Sequence, residues 1–259
     1  MLNGYLLDSA QWHLYLLVFA RLAGIVFLFP YFNWPGIPVA LRVWIAVAIA
    51  WLIYLSLPAD ALLLPSHLLE FALLLLKESA VGLALGFLIA LCFSLFTKAG
   101  QLMDLGAGLT LSAVFNPQAG GQVTLLGRFY YLLVLVYYLA IDGHHLFLSS
   151  IAESYRLIPL GTGSLARELA GGVGQVFVRI FKLSFQMAAP VIVVLLIMDL
   201  ALGLVAKTVP QVHVFVEGLP LKIALSLLVL GALLPLMATA WNDTLGIFSG
   251  YLHWFMEAW

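Results

Sequence analysis

KAGQLMDLGAGLTLSAVFNPQAGG, residues 98–121, joins two long apolar runs without reading like a solvated loop. Gly100, Gly106, Gly108, Gly120 and Gly121, with the pair Asn116-Pro117, predict that no long helix passes through it. Leu109, Leu111, Val114 and Phe115 nevertheless make its middle apolar. Such backbone facing lipid would leave peptide groups unsatisfied at several kcal/mol each, so it should be enclosed by protein or line a cavity. The physical reading is a flexible closure inside a channel-like assembly. An ordinary connecting loop with some hydrophobes stays as the alternative.

The composition sets the class. Of 259 residues, 64% are hydrophobic and 9% charged, against about 45–50% and about 25% in a soluble domain, so the chain reads as an all-α integral membrane protein. A net charge of -1 offers nothing to nucleic acid. Cys92, the one cysteine, excludes an intramolecular disulfide and reads as a packed small hydrophobe. No basic residue precedes the first apolar run and Asp8 interrupts it, so a cleavable signal peptide is not expected.

Six apolar segments flank this stretch: near Trp12–Phe32, Val39–Leu57, Leu68–Thr97, Leu125–Ile141, Val173–Thr208 and Val212–Trp241. A turn at Asn33–Pro38 separates the first two, and a more polar connection runs from Glu153 to Gly172. The tail Asn242–Trp259, aromatic and mildly polar, suits a membrane interface. At about 1.5 Å per residue the third segment reaches roughly 45 Å and the fifth more than about 50 Å, whereas a bilayer core is about 30 Å thick. Gln175, Arg179, Lys182 and Gln186 share one helical face of the fifth, which a plain lipid-embedded span would not carry.

Charges inside or near the apolar segments say the same. Arg21, Lys77, Glu78, Asp199, Glu217 and Lys222 would each cost roughly 2.5–3.5 kcal/mol at a bilayer centre. Adjacent Lys77 and Glu78 point to different sides of a helix, so each needs a partner on another helix or another chain. Gly82-Leu-Ala-Leu-Gly86 is a GxxxG pattern, which lets helices approach closely. Together these features favour a subunit packed within a larger assembly.

Catalysis finds no support. Neither a nucleophile elbow, a zinc-protease helix motif nor a phosphate-binding glycine loop occurs. Asp142, His144 and His145 raise the question of a metal, but adjacent histidines leave a helix on different sides and a polar turn at a segment end explains them better. No cofactor, metal or catalytic residue is assigned.

At Asp199-Leu-Ala-Leu-Gly-Leu-Val-Ala-Lys-Thr-Val-Pro-Gln211 the sequence resembles the FliR/SctT family of flagellar and virulence type III export proteins. The resemblance extends, in order, over Arg21, the proline-broken turn and Arg42, Gly100-Gln101 through Phe115-Asn116-Pro117, Asp142-Gly143-His144, and Val209-Pro210-Gln211 followed by Gly218-Leu219-Pro220. It implies a structural, pore-forming subunit of the export gate through which unfolded proteins cross the bacterial inner membrane at the flagellar basal body. One such chain joins P-type and Q-type subunits, within membrane lipid, in a helical hetero-oligomer of long kinked hairpins, much of it above the bilayer plane. It also implies contact with the switch subunit of the apparatus. A P-like part, residues 1–171 including the loop 98–121, would precede a Q-like hairpin with its tail, 172–259. The loop residues Gly106, Gly108, Leu109, Leu111, Val114, Phe115, Asn116 and Pro117 would form the plug that closes the pore. Asn116 stands where some relatives carry aspartate, so no charge-based role attaches to it.

Pro210 and Gln211 break the chain between the last two segments, either as a simple hairpin turn or so that Lys207, Gln211 and Glu217 meet neighbouring subunits at the entrance. A second class of function competes: a secondary transporter using intramembrane Arg21, Glu78, Asp199 and Glu217, which broken helices would also suit. Assembly discriminates the two, since a gate subunit requires different membrane proteins around it.

Overall fold

The computed structural model describes residues 9–34, 36–57, 67–110, 124–162, 167–209 and 214–259. Among them all regular structure is helical: α1 Ser9–Leu28, α2 Val39–Ser56, α3 Leu68–Ala107, α4 Leu125–Ala140, α5 Gly143–Leu157, α6 Arg167–Thr208 and α7 Val214–Ala258. Five are long and apolar enough to cross a membrane, and α4 with α5, bent by 77° at their junction, makes a sixth candidate. The chain is an all-α integral membrane protein.

Three expectations change. The glycines at 100 and 106 do not stop a helix: α3 continues ten residues past Thr97, to Ala107, because Gly100 meets another backbone there, as described below. Between the fourth segment and the polar connection from Glu153, and running into it, lies α5, whose Phe147, Ile151, Ser154 and Tyr155 are buried while Ser149, Glu153 and Arg156 are not. That is an amphipathic helix carried by a minority of apolar residues. The tail after Trp241 is the last part of one 45-residue helix, α7, and Leu252, Phe255 and Met256 on it are buried.

Contacts divide the chain into two compact units. The first takes residues 1–91, 142–175 and 249–259. Here α1 lies on α3 through glycine: a Cβ at Gly82 would stand 2.0 Å from the Arg21 carbonyl oxygen, and one at Gly24 would stand 2.6 Å from the Leu83 nitrogen. The GxxxG reading therefore found one side of a helix pair whose other side is Gly24. Arg42 ties down the turn before α2, donating to Asn33 Oδ1 at 3.1 Å and to the Ile37 carbonyl at 3.2 Å. Of α2 only Ala46 and Ala50 are buried, and Trp44, Leu52 and Leu55 stand exposed.

The second unit takes residues 92–141 and 176–248. Its core gathers Phe96, Tyr130 and Tyr137 edge-on around Trp241. Ser184 on α6 donates to the Leu95 carbonyl at 3.1 Å. Cys92 is buried. Gln175, Arg179, Lys182 and Gln186 all stand exposed along α6, as their spacing requires.

Candidate functional site

The end of α3 is built in detail. Gly108 adopts φ 76°, a left-handed conformation that glycine takes without a steric penalty. Leu109 N–H donates to the Asp104 carbonyl at 3.0 Å and Gly108 N–H to the Leu105 carbonyl at 3.3 Å. That pair of bonds is the Schellman closure of a helix, with Gly108 one residue past the cap. Gly106 lies in the last turn, facing the Leu195 side chain. Of the residues assigned to the plug, then, Gly106 lies within the helix, Gly108 serves its stop, and Leu109 follows half-buried. Leu111, Val114, Phe115, Asn116 and Pro117 lie outside the described residues.

The chain returns at Thr124, whose extended backbone caps α4. Gly100, one turn before Asp104, faces this helix start so closely that a Cβ on it would lie 2.5 Å from the Gly127 Cα. Gly127 N–H donates to Asp104 Oδ2 at 3.0 Å. Asp104 is fully buried, and its Oδ1 has no hydrogen-bond partner among the described residues. The sequence reading passed over Asp104 because it placed residues 98–121 outside a helix. The available signal was a carboxylate near the end of an apolar helix, where its own helix dipole disfavours it.

The charges read as buried separate into groups. Arg21 on α1 and Glu78 on α3 are fully enclosed and meet at 2.6 Å, Nε to Oε2. Arg21 Nη1 donates to the Ser154 carbonyl at 2.9 Å, and its guanidinium lies 4.4 Å from the centre of the Tyr155 ring. Glu78 Oε1 accepts the Gly161 N–H at 2.8 Å. Tyr155 O–H reaches the Val18 carbonyl at 3.0 Å. One ion pair thus ties α1, α3, α5 and the turn after it. Asp199 on α6 pairs with Lys222 on α7. Lys77 and Asp199, both read as buried charges, are exposed on the chain itself: Lys77 stands next to Glu78 and so points about 100° away from it round α3. Lys207 is exposed in the last turn of α6 and Glu217 in the first turn of α7, each at the helix end its charge favours. Pro210 and Gln211 lie outside the described residues.

Asp142, His144 and His145 place their ligand atoms within 4.8 Å of one another, all exposed. Asp142 is the turn residue between α4 and α5, with φ 58°.

Residues 12–247 match the bacterial export proteins, family 1. The chain belongs to that family. Among family-1 export proteins it is similar to the flagellar biosynthetic protein FliR of Bacillus subtilis (strain 168), at 35% identity over 220 residues, 83% of this chain and 84% of that one. To FliR of Escherichia coli (strain K12) it is 28% identical over 235 residues, 89% of each chain. To the surface presentation of antigens protein SpaR of Shigella sonnei it is 29% identical over 236 residues, 86% of this chain and 89% of that one. The family match spans every motif from Arg21 to Pro220 on which the resemblance was built.

Proposed function

We propose that the chain is a structural, pore-forming subunit of the type III flagellar export gate, and that residues 106–117 close the conduit it helps to form. The observation that carries this is the export-family match over 12–247, joined to identity with flagellar FliR over most of both chains. The protein is a subunit of the export apparatus in the bacterial inner membrane and assembles with other subunits of it. Its neighbours on this reading are P-type and Q-type gate subunits and the switch subunit, its cargo is unfolded protein, and its role is not enzymatic. Residues 1–171 act as the P-like part and 172–259 as the Q-like hairpin.

One observation supports the reading over a secondary transporter. Arg21 and Glu78 neutralise each other inside the fold, as do Asp199 and Lys222 at its surface, so three of the four charges a transporter would use are engaged in holding helices together.

Deletion of Gly106–Asn116 in the co-expressed gate should raise ion leakage while the complex still assembles. Leakage equal to that of the unaltered gate, with normal assembly, would remove the closure from the reading.

A further inference from the structure

We propose that Asp104 is a clasp: it holds the end of α3 against the start of α4 by taking the amide that Thr124, one residue before α4, would otherwise cap. In an ordinary helix start the N-cap side chain accepts the N–H two or three residues on. Thr124 is such an N-cap, yet its side chain makes no cap hydrogen bond. Its Oγ1 is enclosed and has no partner among the described residues. The amide in question, Gly127 N–H, donates instead to Asp104 Oδ2 at 3.0 Å. Thr124 Oγ1 nevertheless stands beside it: a Cβ on Gly127 would come within 2.8 Å of that oxygen. The helix start is therefore capped from another helix while its own cap side chain, close by, goes unused.

The chemistry favours the longer-range partner. A carboxylate at a helix N-terminus gains from the dipole as well as from the hydrogen bond, and a hydroxyl gains only the bond. Gly100 and Gly127 make the joint geometrically available, because their backbones touch with no Cβ between them. The bond also serves Asp104, because a fully buried carboxylate whose Oδ1 has no partner among the described residues would be left without a hydrogen bond if it lost the Gly127 amide. Asp104 is thus a positioning residue that sets where the end of α3 and the start of α4 stand.

Hydrogen exchange at the amides of residues 126–128, measured in the assembled gate, tests the clasp apart from any leak. Thr124→Val alone should leave exchange unchanged, since Thr124 is not the acceptor. Adding Asp104→Ala to Thr124→Val should accelerate it about fivefold or more, the loss of one cap. Adding Asp104→Asn instead should leave it near the parent rate, because the amide oxygen still accepts. A Thr124→Val/Asp104→Ala gate that exchanges no faster than Thr124→Val overturns the proposal. So does a Thr124→Val gate that by itself exchanges faster, a result that stays decisive if the double variant fails to assemble.

Discussion

Arg21 and Glu78 sit 57 positions apart in sequence and fully inside the fold, and their energetics differ from those of the second ion pair. Bringing two charges into a low-dielectric interior costs several kcal/mol each, which their attraction roughly offsets, so the pair contributes connection more than net stability. Removing one partner strands the other. Glu78→Leu or Arg21→Met alone should destabilise by about 3–5 kcal/mol, and the double variant should regain much of that. Thermal unfolding of the protein in mild detergent reads this directly, and single variants melting with the parent would refute it. Asp199 and Lys222 are both only partly covered by the chain, so Asp199→Asn should cost the isolated chain less than either single change at the enclosed pair in the same measurement. The contrast is one of burial, since the charge types match.

Between helices, the glycines separate into those that touch another backbone and those that do not. A Cβ at Gly82 meets the Arg21 carbonyl at 2.0 Å, a backbone atom that no rotamer change can move. Gly82→Ala must therefore push α1 off α3 and draw Arg21 away from Glu78, and it should lower the yield of folded protein far more than Gly174→Ala. Gly174 has nothing within 4 Å of its hypothetical Cβ, and alanine there should stabilise by roughly 0.5–1 kcal/mol. Equal yields of folded protein from the two variants would contradict this account. The same division shows what could be read beforehand. Unbroken apolar runs announced α2 and α4 almost to the residue, since nothing but a helix buries such a run in a membrane. Gly100 misled, because a glycine that breaks a solitary helix also admits a second backbone to a paired one. The helix α5 was concealed by Ser149, Ser150, Glu153 and Arg156, which outweigh in composition the four-residue spacing of Phe147, Ile151 and Tyr155. Ion-pair partners such as Arg21 and Glu78 were legible as needing one another's kind, but their pairing arises only from the packing of α1 on α3. Asp104 needed both: its helix had to be seen to continue, and α4 had to be brought against it.

For the molecule as a whole, α6 and α7 pose the question of what covers them. Each is over 40 residues long, and few residues in the most apolar part of each are buried in the chain itself. Leu196, Ile197, Leu200 and Leu204 run exposed along α6, and Leu227, Leu228 and Leu236 along α7. Lipid would satisfy those leucines, but lipid gives no reason for Gly203 and Gly231 on the same helices. A glycine inside a helix costs about 0.5–1 kcal/mol relative to alanine, and these two face open space within the chain. A neighbouring helix that approaches closely supplies the reason, since small residues are what permit such an approach in a membrane. Gly203→Leu and Gly231→Leu should thus leave the unfolding midpoint of the isolated chain unchanged or slightly raised. The same substitutions should reduce recovery of the complex when the chain is co-expressed with the other gate subunits and extracted in mild detergent. Mass measurement of the extracted complex separates the outcomes, because a chain clothed by lipid alone would tolerate leucine at both positions with the mass distribution unaltered. Lys207→Glu probes the far end of α6 in the same experiment: if the entrance is a subunit contact, the complex is lost with the isolated chain intact, and if Pro210-Gln211 is only a turn, nothing changes.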